Sequence, residues 1–430
     1  MMCKLLLKSS IALLLLAPVK SALSDELVSE AERRSMNTAL VFFKPEAALD
    51  RKSTFFRDER LKPEVGPDEN DDSFVVNLPP NEVRDYLSEK FDDIVDHVEA
   101  NPVYYLFAAG CATPSGLPTN AFTPPGITRV GGPLQGHVPA RKVWIIDSGI
   151  DVDSTLLTID FTNAALCTPE GCESATTDHS KVADEFGHGT FIAGIIAGKM
   201  DASGSIVGML PGATVVPIKV FSPNSPEGNF RALNRAVKWI TPRLAKGDVV
   251  NMSWGASVDP ENAGRPYTSL EKSIRAMADA GAKISVAAGN YDATAGLAST
   301  GGYVELVTPA RIGGYRPSSN GGGIVTVSAV DGSDNFWFDK SASPFGSAFG
   351  NGNRPGYAAP GVDITSLWPG NFKNTCTGTS FSAAHVSGAL LQSGDDIVLE
   401  VDGPSASNVD GEGDKIVACK KTMGICHIIP

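Results

Sequence analysis

Short, unbroken apolar runs recur through the second half of the chain: KVWIID (142–147), TVVPIKVF (214–221), VVNMSWG (249–255) and KISVAAGN (283–290). Between them lie segments whose apolar residues repeat at helical spacing, GTFIAGIIAG (189–198), NFRALNRAVKWITPRL (229–244) and LEKSIRAMADAGA (270–282). A strand that is apolar without alternation is covered on both faces, and such strands alternating with helices predict a doubly wound parallel α/β sheet.

Upstream the rhythm is different. TALVFFK (38–44) reads as a strand, PEAALDRKSTFFRDERL (45–61) as an amphipathic helix and SFVVNLP (73–79) as a second strand. PNEVRDYLSEK (80–90) opens with proline as helices do, and DDIVDHVEANPVYYL (92–106) holds a last strand. The result is a small β-α-β-α-β unit of α+β type, crossed by an acidic linker, KPEVGPDENDD (62–72). A Gly/Pro/Thr-rich stretch at 108–132 reads as a connector wrapping over the next domain. After Leu391 the chain turns polar and strand-like, as a short β appendage, and no internal repeat is visible.

The first residues, MMCKLLLKSSIALLLLAPVKSALSDEL, set Lys4 and Lys8 ahead of an apolar run from Ile11 to Val19. Ala22-Leu23-Ser24 then fits a small-x-small cleavage site. The run is too short for the ~30 Å of a bilayer core, so it reads as a removed secretory signal and not an anchor. No later stretch is long and apolar enough to cross a membrane. The mature protein is therefore expected to be secreted, extracellular or periplasmic.

A formal net charge of −13 over 430 residues argues against nucleic acid and anionic membranes as partners. Six cysteines remain beyond Cys3, an even number suited to an oxidising compartment. Cys167 with Cys172 and Cys419 with Cys426 could each close a small loop, leaving Cys111 for Cys376, although many pairings are open. A zinc site is disfavoured, because no Cys-x-x-Cys occurs and no His stands at ligand spacing.

Active sites of open parallel sheets gather where strands end and helices begin. Asp147 ends KVWIID, His188 opens an apolar helix, and Ser380 opens the last core helix. Each alone has a plain reading, as a turn cap, a loop residue and a helix cap. Together they supply what serine hydrolysis needs: a hydroxyl, an imidazole to take its proton, and a carboxylate to fix the imidazole's tautomer. Asn290, after the buried run SVAA, supplies a donor for the developing oxyanion, and the backbone N–H of Ser380 a second.

In order and context these residues resemble the subtilisin-like serine proteases, or subtilases. VWIIDSGID looks like the family's Asp motif, GHGTFIAGIIAG its His motif and GTSFSAAHVSG its Ser motif. VVNMSWG resembles the substrate-binding strand and AAGN the oxyanion Asn motif, while VGMLPGATVVPIKV and YAAPGVDITS match two further signatures. The similarity runs from about Ile127 to Leu391. It implies Ser380 as nucleophile, His188 as general base and acid, Asp147 as orienting carboxylate and Asn290 in the oxyanion hole. It also implies that Ser253, Trp254 and Gly255 pair with an extended substrate, with Ala287, Ala288 and Gly289 as the opposite wall of the first specificity pocket.

On this resemblance the chain divides into a signal peptide (1–24), a ferredoxin-like inhibitory propeptide (25–110), a catalytic domain (111–391) and a β-rich extension (392–430). The expected activity is that of a secreted, self-processed serine endopeptidase working through an acyl-enzyme. Its partners are extended protein or peptide substrates and its own propeptide, and it is expected to be a monomer. The chemistry needs no cofactor. Structural calcium occurs in the family, but Asp151 and Asp153 complete no assignable ligand set.

The chain departs from the family pattern at Phe191, usually a second His, at Phe381, usually Met, and at Ala384, usually Pro. Extra Gly-rich sequence, ARIGGYRPSSNGGG (310–323), falls near the pocket walls. His385 and His179 read as structural and loop residues, and the sequon at Asn251 falls in a buried strand. Two rival classes are a catalytically silent peptide-binding module and an α/β-hydrolase esterase. The first usually lacks a triad member; the second expects Gly-x-Ser-x-Gly with the His last.

Overall fold

The computed structural model describes residues 37–61, 63, 73–107, 109–134, 140–201, 204–221, 227–258, 268–292, 304–317, 321–337, 345–347, 356–393, 406–407 and 413–416. The expected leader, most of the acidic linker, Cys419 and Cys426 lie outside them.

The N-terminal unit follows the expected order: β1 (Ala39–Phe43), α1 (Leu49–Phe56), β2 (Ser73–Val76), α2 (Pro80–Lys90) and β3 (Val95–Ala100). Its three strands are antiparallel in the order β2-β1-β3. Helix α1 is shorter than the amphipathic pattern, because Asp58 accepts the N–H groups of Arg60 and Leu61 and turns the chain out of the helix. Successive side chains of a strand point to opposite faces, and β1 uses both. Ala39, Val41 and Phe43 pack with Phe55, Phe74, Leu87 and Phe91 inside the unit, while Leu40 and Phe42 join the core of the larger body.

That body begins with β4 (Tyr104–Leu106), β5 (Ala109–Cys111) and a short helix α3 (Pro125–Arg129). The connector at 108–132 is thus partly structured. Next come β6 (Lys142–Asp147), α4 (His188–Ala197), β7 (Thr214–Lys219), α5 (Phe230–Ile240), β8 (Val249–Met252) and β9 (Trp254–Ser257). The chain continues through α6 (Ser269–Asp279), β10 (Lys283–Ala287), β11 (Gly323–Val330) and β12 (Tyr357–Pro360). It closes with β13 (Ile364–Trp368), β14 (Phe372–Thr377) and α7 (Thr379–Gln392).

The central sheet has the neighbour order β7-β6-β8-β10-β11-β12, all parallel. An antiparallel hairpin, Ala165–Cys167 with Cys172–Ser174, extends one edge and makes the sheet mixed. At the other edge Gly413–Ile416 pairs with β12, so the described part of the C-terminal appendage adds to the same sheet. Helices α4 and α7 pack on one another and against the strands, and α5 and α6 form a second pair. Every residue of α4 is buried, as a helix apolar all round must be. Disulfides join Cys111 to Cys376 and Cys167 to Cys172, two of the three preferred pairs.

The N-terminal unit grips the body through β3. Glu99 Oε1 accepts the N–H and hydroxyl of Ser269 at 2.9 and 2.8 Å, so a carboxylate sits at the start of α6, where amide groups lack helical partners. His97 stacks on Phe42 with ring centroids 4.4 Å apart, and Phe42 meets Phe230 of α5 edge-on at 6.0 Å. The His97 ring nitrogens face Asp96 at 2.6 Å and Glu99 at 3.0 Å. Glu99 first and then Asp96 raise the pKa of His97 above the ordinary histidine range, against the opposing effect of burial.

A raised pKa means that this contribution to the grip is complete below about 6.5 and is lost as pH climbs through the raised value. Hydrogen exchange at the first N–H groups of α6, corrected for intrinsic rate, should accelerate as pH rises above about 6.5. His97→Phe, which keeps the stacking but cannot titrate, should flatten that dependence.

Candidate active site

Strand β6 is the first of the parallel sheet. Its successors β7 and β8 lie on opposite sides of it, so Asp147 emerges where the strand order reverses. The Asp147 side chain is fully buried. It accepts the Ser148 N–H at 2.8 Å and His188 Nδ1 at 2.8 and 3.0 Å. A carboxylate can only accept, so Nδ1 carries the hydrogen and Nε2 is left as the accepting nitrogen. His188 Nε2 is buried and has no hydrogen-bond partner among the described residues.

His188 is set by the turn before it. Gly187 lies at the N-cap position of α4 with φ +98°, and a Cβ there would fall 2.3 Å from the Trp368 indole. Both the backbone conformation and the packing therefore require glycine. Ser380 is the second residue of α7, with Gly378 at the N-cap position, so its hydroxyl is not a helix cap. That hydroxyl donates to the carbonyl of Ser253 at 3.1 Å, and the Ser380 N–H points at the carbonyl of Phe107 at 3.4 Å. In return Ser253 Oγ donates to the Ser380 carbonyl and receives Asn251 Nδ2. Asn251 is fully buried, so the sequon is not accessible in the folded chain.

Asn290 follows β10 and reaches the start of α7. Its carboxamide oxygen accepts both the N–H and the hydroxyl of Thr379 at 3.0 Å. An N–H only donates, so the oxygen end faces Thr379 and the NH₂ end is the donor of the group. Ala287 and Ala288 are buried at the end of the same strand.

A length of the chain's own backbone lies across these groups. In antiparallel register β4 sets Leu106 opposite Trp254 and Tyr105 opposite Gly255 of β9. On its other side Tyr105 and Tyr104 pair with Glu227 and Gly228. The Phe107 N–H donates to the Ser253 carbonyl at 3.1 Å. The Phe107 ring lies against Gly255, where a Cβ would sit 2.7 Å from its Cζ, and near Gly289, where the distance would be 3.6 Å. Tyr104 is buried edge-on to Trp254 at 5.8 Å. Burial first, then the charges of Glu271 and Glu99, push its phenol well above the ordinary range and keep it neutral.

The structure thus sets Ser253, Trp254, Gly255, Gly289 and Ser380 along the segment 104–107, with Asn290 bonded to Thr379 beside Ser380 and the Asp147–His188 pair reaching Phe381 on its other side. Sequence reasoning missed the segment 104–107, the pairing edge at 227–228 and one buried carboxylate, Asp184. Asp184 Oδ1 accepts the hydroxyl of Ser148 and the N–H groups of Phe186 and Gly187. Its Oδ2 accepts the N–H and hydroxyl of Thr190. Ser148 Oγ in turn accepts the Gly189 N–H. Asp184 therefore ties the end of β6 to the start of α4, and the signal for it was an acid four residues before a histidine that opens a helix.

Two of the departures form a packing pair. Phe191 and Phe381 meet at 4.6 Å, Phe191 reaches the Trp368 ring at 6.3 Å, and Phe381 lies 5.8 Å from the His188 ring. Ala384 is buried in α7. His385 points away from the cluster: its Nδ1–H donates to the Phe381 carbonyl, and burial lowers its pKa to about 4. His179 is exposed and stacks on Phe161. Asp151 accepts the N–H groups of Gly370 and Asp153 as a loop tie. Among the described residues no three metal-ligating side chains come together.

Residues 140–395 match the model of the subtilase family, Peptidase_S8. Subtilisin DY of Bacillus licheniformis is 30% identical over 256 residues, 59% of this chain and 77% of its own length. Subtilisin amylosacchariticus of Bacillus subtilis subsp. amylosacchariticus is 29% identical over 270 residues, 62% of this chain. Subtilisin-like protease 10 of Trichophyton verrucosum (strain HKI 0517) is 29% identical over 257 residues, 57% of this chain. The chain spans only 59% and 39% of the lengths of the last two.

Asp184→Ala would strip three N–H groups and two hydroxyls of an acceptor, at about 1–3 kcal/mol for each group left unpaired. Denaturant unfolding should show a loss of at least about 3 kcal/mol. Asp184→Asn, which keeps an acceptor, should lose less.

Proposed function

The chain belongs to the subtilase family of serine peptidases, and from that premise we propose that it is an endopeptidase acting through an acyl-enzyme on Ser380. The observation that carries this reading is the lie of Phe107. An extended backbone is paired on both sides, its carbonyl oxygen meets the Ser380 N–H, and its N–H meets the Ser253 carbonyl. That is how a peptide about to be attacked must lie.

In the proposed reaction Ser380 Oγ leaves the Ser253 carbonyl and turns to His188 Nε2, which takes its proton as Oγ attacks the substrate carbonyl. Asp147 holds the ring by Nδ1 and stabilises the imidazolium. The carbonyl oxygen, now negative, is met by the Ser380 N–H at a helix start and by the NH₂ of Asn290. His188 returns the proton to the departing amine. Water then releases the acyl group by the same route. Ser253, Trp254 and Gly255 align the substrate as an added strand. Gly255 and Gly289 bound the pocket for the side chain before the cut, with Ala287 and Ala288 in the wall behind.

The same geometry supports a zymogen. The N-terminal unit, within the proposed propeptide 25–110, leads directly into a strand that fills the cleft, so the uncut chain shuts out other substrates. The segments 1–24, 111–391 and 392–430 are proposed as signal peptide, catalytic domain and extension. Secretion is supported by the leader pattern and by two disulfides, which persist in oxidising compartments. The protein is proposed to act as a monomer, without a cofactor, on extended peptides. A silent binding module is disfavoured because Asp147, His188 and Ser380 are all retained, and an esterase because the His precedes the Ser.

Purified mature protein should hydrolyse casein or peptides and take up a serine-directed fluorophosphonate, and Ser380→Ala should do neither. Asp147→Asn should lower kcat by roughly 10⁴, and Asn290→Ala by about 10²–10³. Absence of both hydrolysis and labelling in the unmutated protein would sink the proposal.

A further inference from the structure

The sequon Asn251-Met252-Ser253 is buried, and its two polar residues bond to each other and to the helix of Ser380. Asn251 lies within β8, between Ile145 of β6 and Ser285 of β10. Its Nδ2 donates to Ser253 Oγ at 2.8 Å, and its Oδ1 accepts the Ser387 hydroxyl at 2.9 Å. Ser387 stands about two turns after Ser380 on α7, so both lie on the same side of the helix. Ser253 Oγ passes its own hydrogen to the Ser380 carbonyl at 3.1 Å.

The direction of this chain of bonds is forced. The Ser380 carbonyl can only accept, so it takes the one hydrogen of the Ser253 hydroxyl. Asn251 must then face Ser253 with its donating end and Ser387 with its accepting end. Turned about, the amide would take the Ser253 hydrogen for itself and release Ser380. The usual fallback of a helical serine is the carbonyl four residues back. For Ser387 that is Ala383, whose carbonyl receives the Ser285 hydroxyl at 2.9 Å.

We propose that Asn251 is a positioning residue for the nucleophile: through the Ser253 hydroxyl it fixes the start of α7 against the edge that aligns the substrate. The inference rests on the serine endopeptidase reading. Ser253 and Ser380 are joined twice, each hydroxyl to the other's carbonyl, both at 3.1 Å. Only one of these bonds survives the reaction. When Ser380 Oγ turns to His188 Nε2 it leaves the Ser253 carbonyl, while the Ser253 hydroxyl keeps its hold on the Ser380 carbonyl. The backbone of Ser380 stays in place, and the hydroxyl moves by rotation about Cα–Cβ. Ser253 also accepts the Phe107 N–H, so nucleophile and bound strand share one mount. Misplacing reacting atoms on the order of 1 Å costs about 10² in rate. Without Asn251 the main-chain groups of β9 still pair with a peptide, so the effect falls on kcat and not on KM.

The test uses purified mature protein, with active sites counted by fluorophosphonate titration and a peptide anilide ending in Phe as substrate. In Asn251→Ala, kcat should fall by about 10-fold to 10²-fold, with KM unchanged within about twofold. Ser253→Ala should lose a similar factor. Adding Asn251→Ala to it should cost less than about twofold more, because Asn251 acts through that hydroxyl. A merely structural Asn251 would cost the same factor in both backgrounds. Should Asn251→Ala fail to fold, Ser387→Ala takes its place in the cycle. It lets the amide turn, and should lower kcat by a smaller factor that also vanishes beside Ser253→Ala. An unchanged kcat, a change in KM alone, or equal losses in both backgrounds overturns the inference and leaves the peptidase reading intact. Failure of the unmutated protein to hydrolyse the anilide overturns both.

Discussion

A carboxylate taken out of water must be surrounded by donors, and two such groups, Asp147 and Asp184, hold this site together. Asp147 is satisfied only if the end of β6 and the start of α4 stand in one relation, because its donors come from Ser148 and His188. Asp184 enforces that relation from the other side, through Ser148, Gly187 and Thr190. The imidazole is therefore oriented before any peptide arrives. Ser148 belongs to both sets, so the carboxylate that faces the histidine and the one that never touches it act through a shared neighbour.

Behind Ser380 the mount is polar in places where an apolar core would suffice. Asn251 links Ser253 to Ser387 of α7, Ser285 donates to the Ala383 carbonyl, and Lys283 reaches the Leu390 carbonyl and Ser393. Directional bonds between the strands and α7 resist sliding and rotation in a way that apolar packing does not. On the other side of α7, Phe191 and Phe381 fill their space together. The unusual residue in each motif is the one that suits the other.

Much of this was legible in the sequence because it is local. A buried strand advertises itself as an unbroken apolar run, and β6, β7, β8 and β10 appeared where such runs lie. Asp147, His188, Asn290 and Ser380 were legible because each stands at the end of such a run or at a helix start. What the sequence concealed depends on partners far along the chain. Tyr104 to Phe107 looked like the tail of the N-terminal unit, since nothing near them announces Trp254 or Gly228. Asp184 looked like any loop acid, because its donors matter only once Ser148 is brought across. The length of α1 was overestimated for a smaller reason: the pattern continued, but Asp58 offered the backbone a competing turn.

The Ser253 carbonyl carries a further implication. One oxygen receives both the Phe107 N–H, which aligns the bound strand, and the Ser380 hydroxyl in its resting orientation. An oxygen with two lone pairs can serve both, but it cannot do so through a residue that has no N–H. Proline at the place of Phe107 would leave that acceptor half filled and the strand untied at this rung. The chain's own occupant has Phe there. On the proposed reading of the cleft, one peptide unit would thus disfavour imino acids at that position through hydrogen bonding.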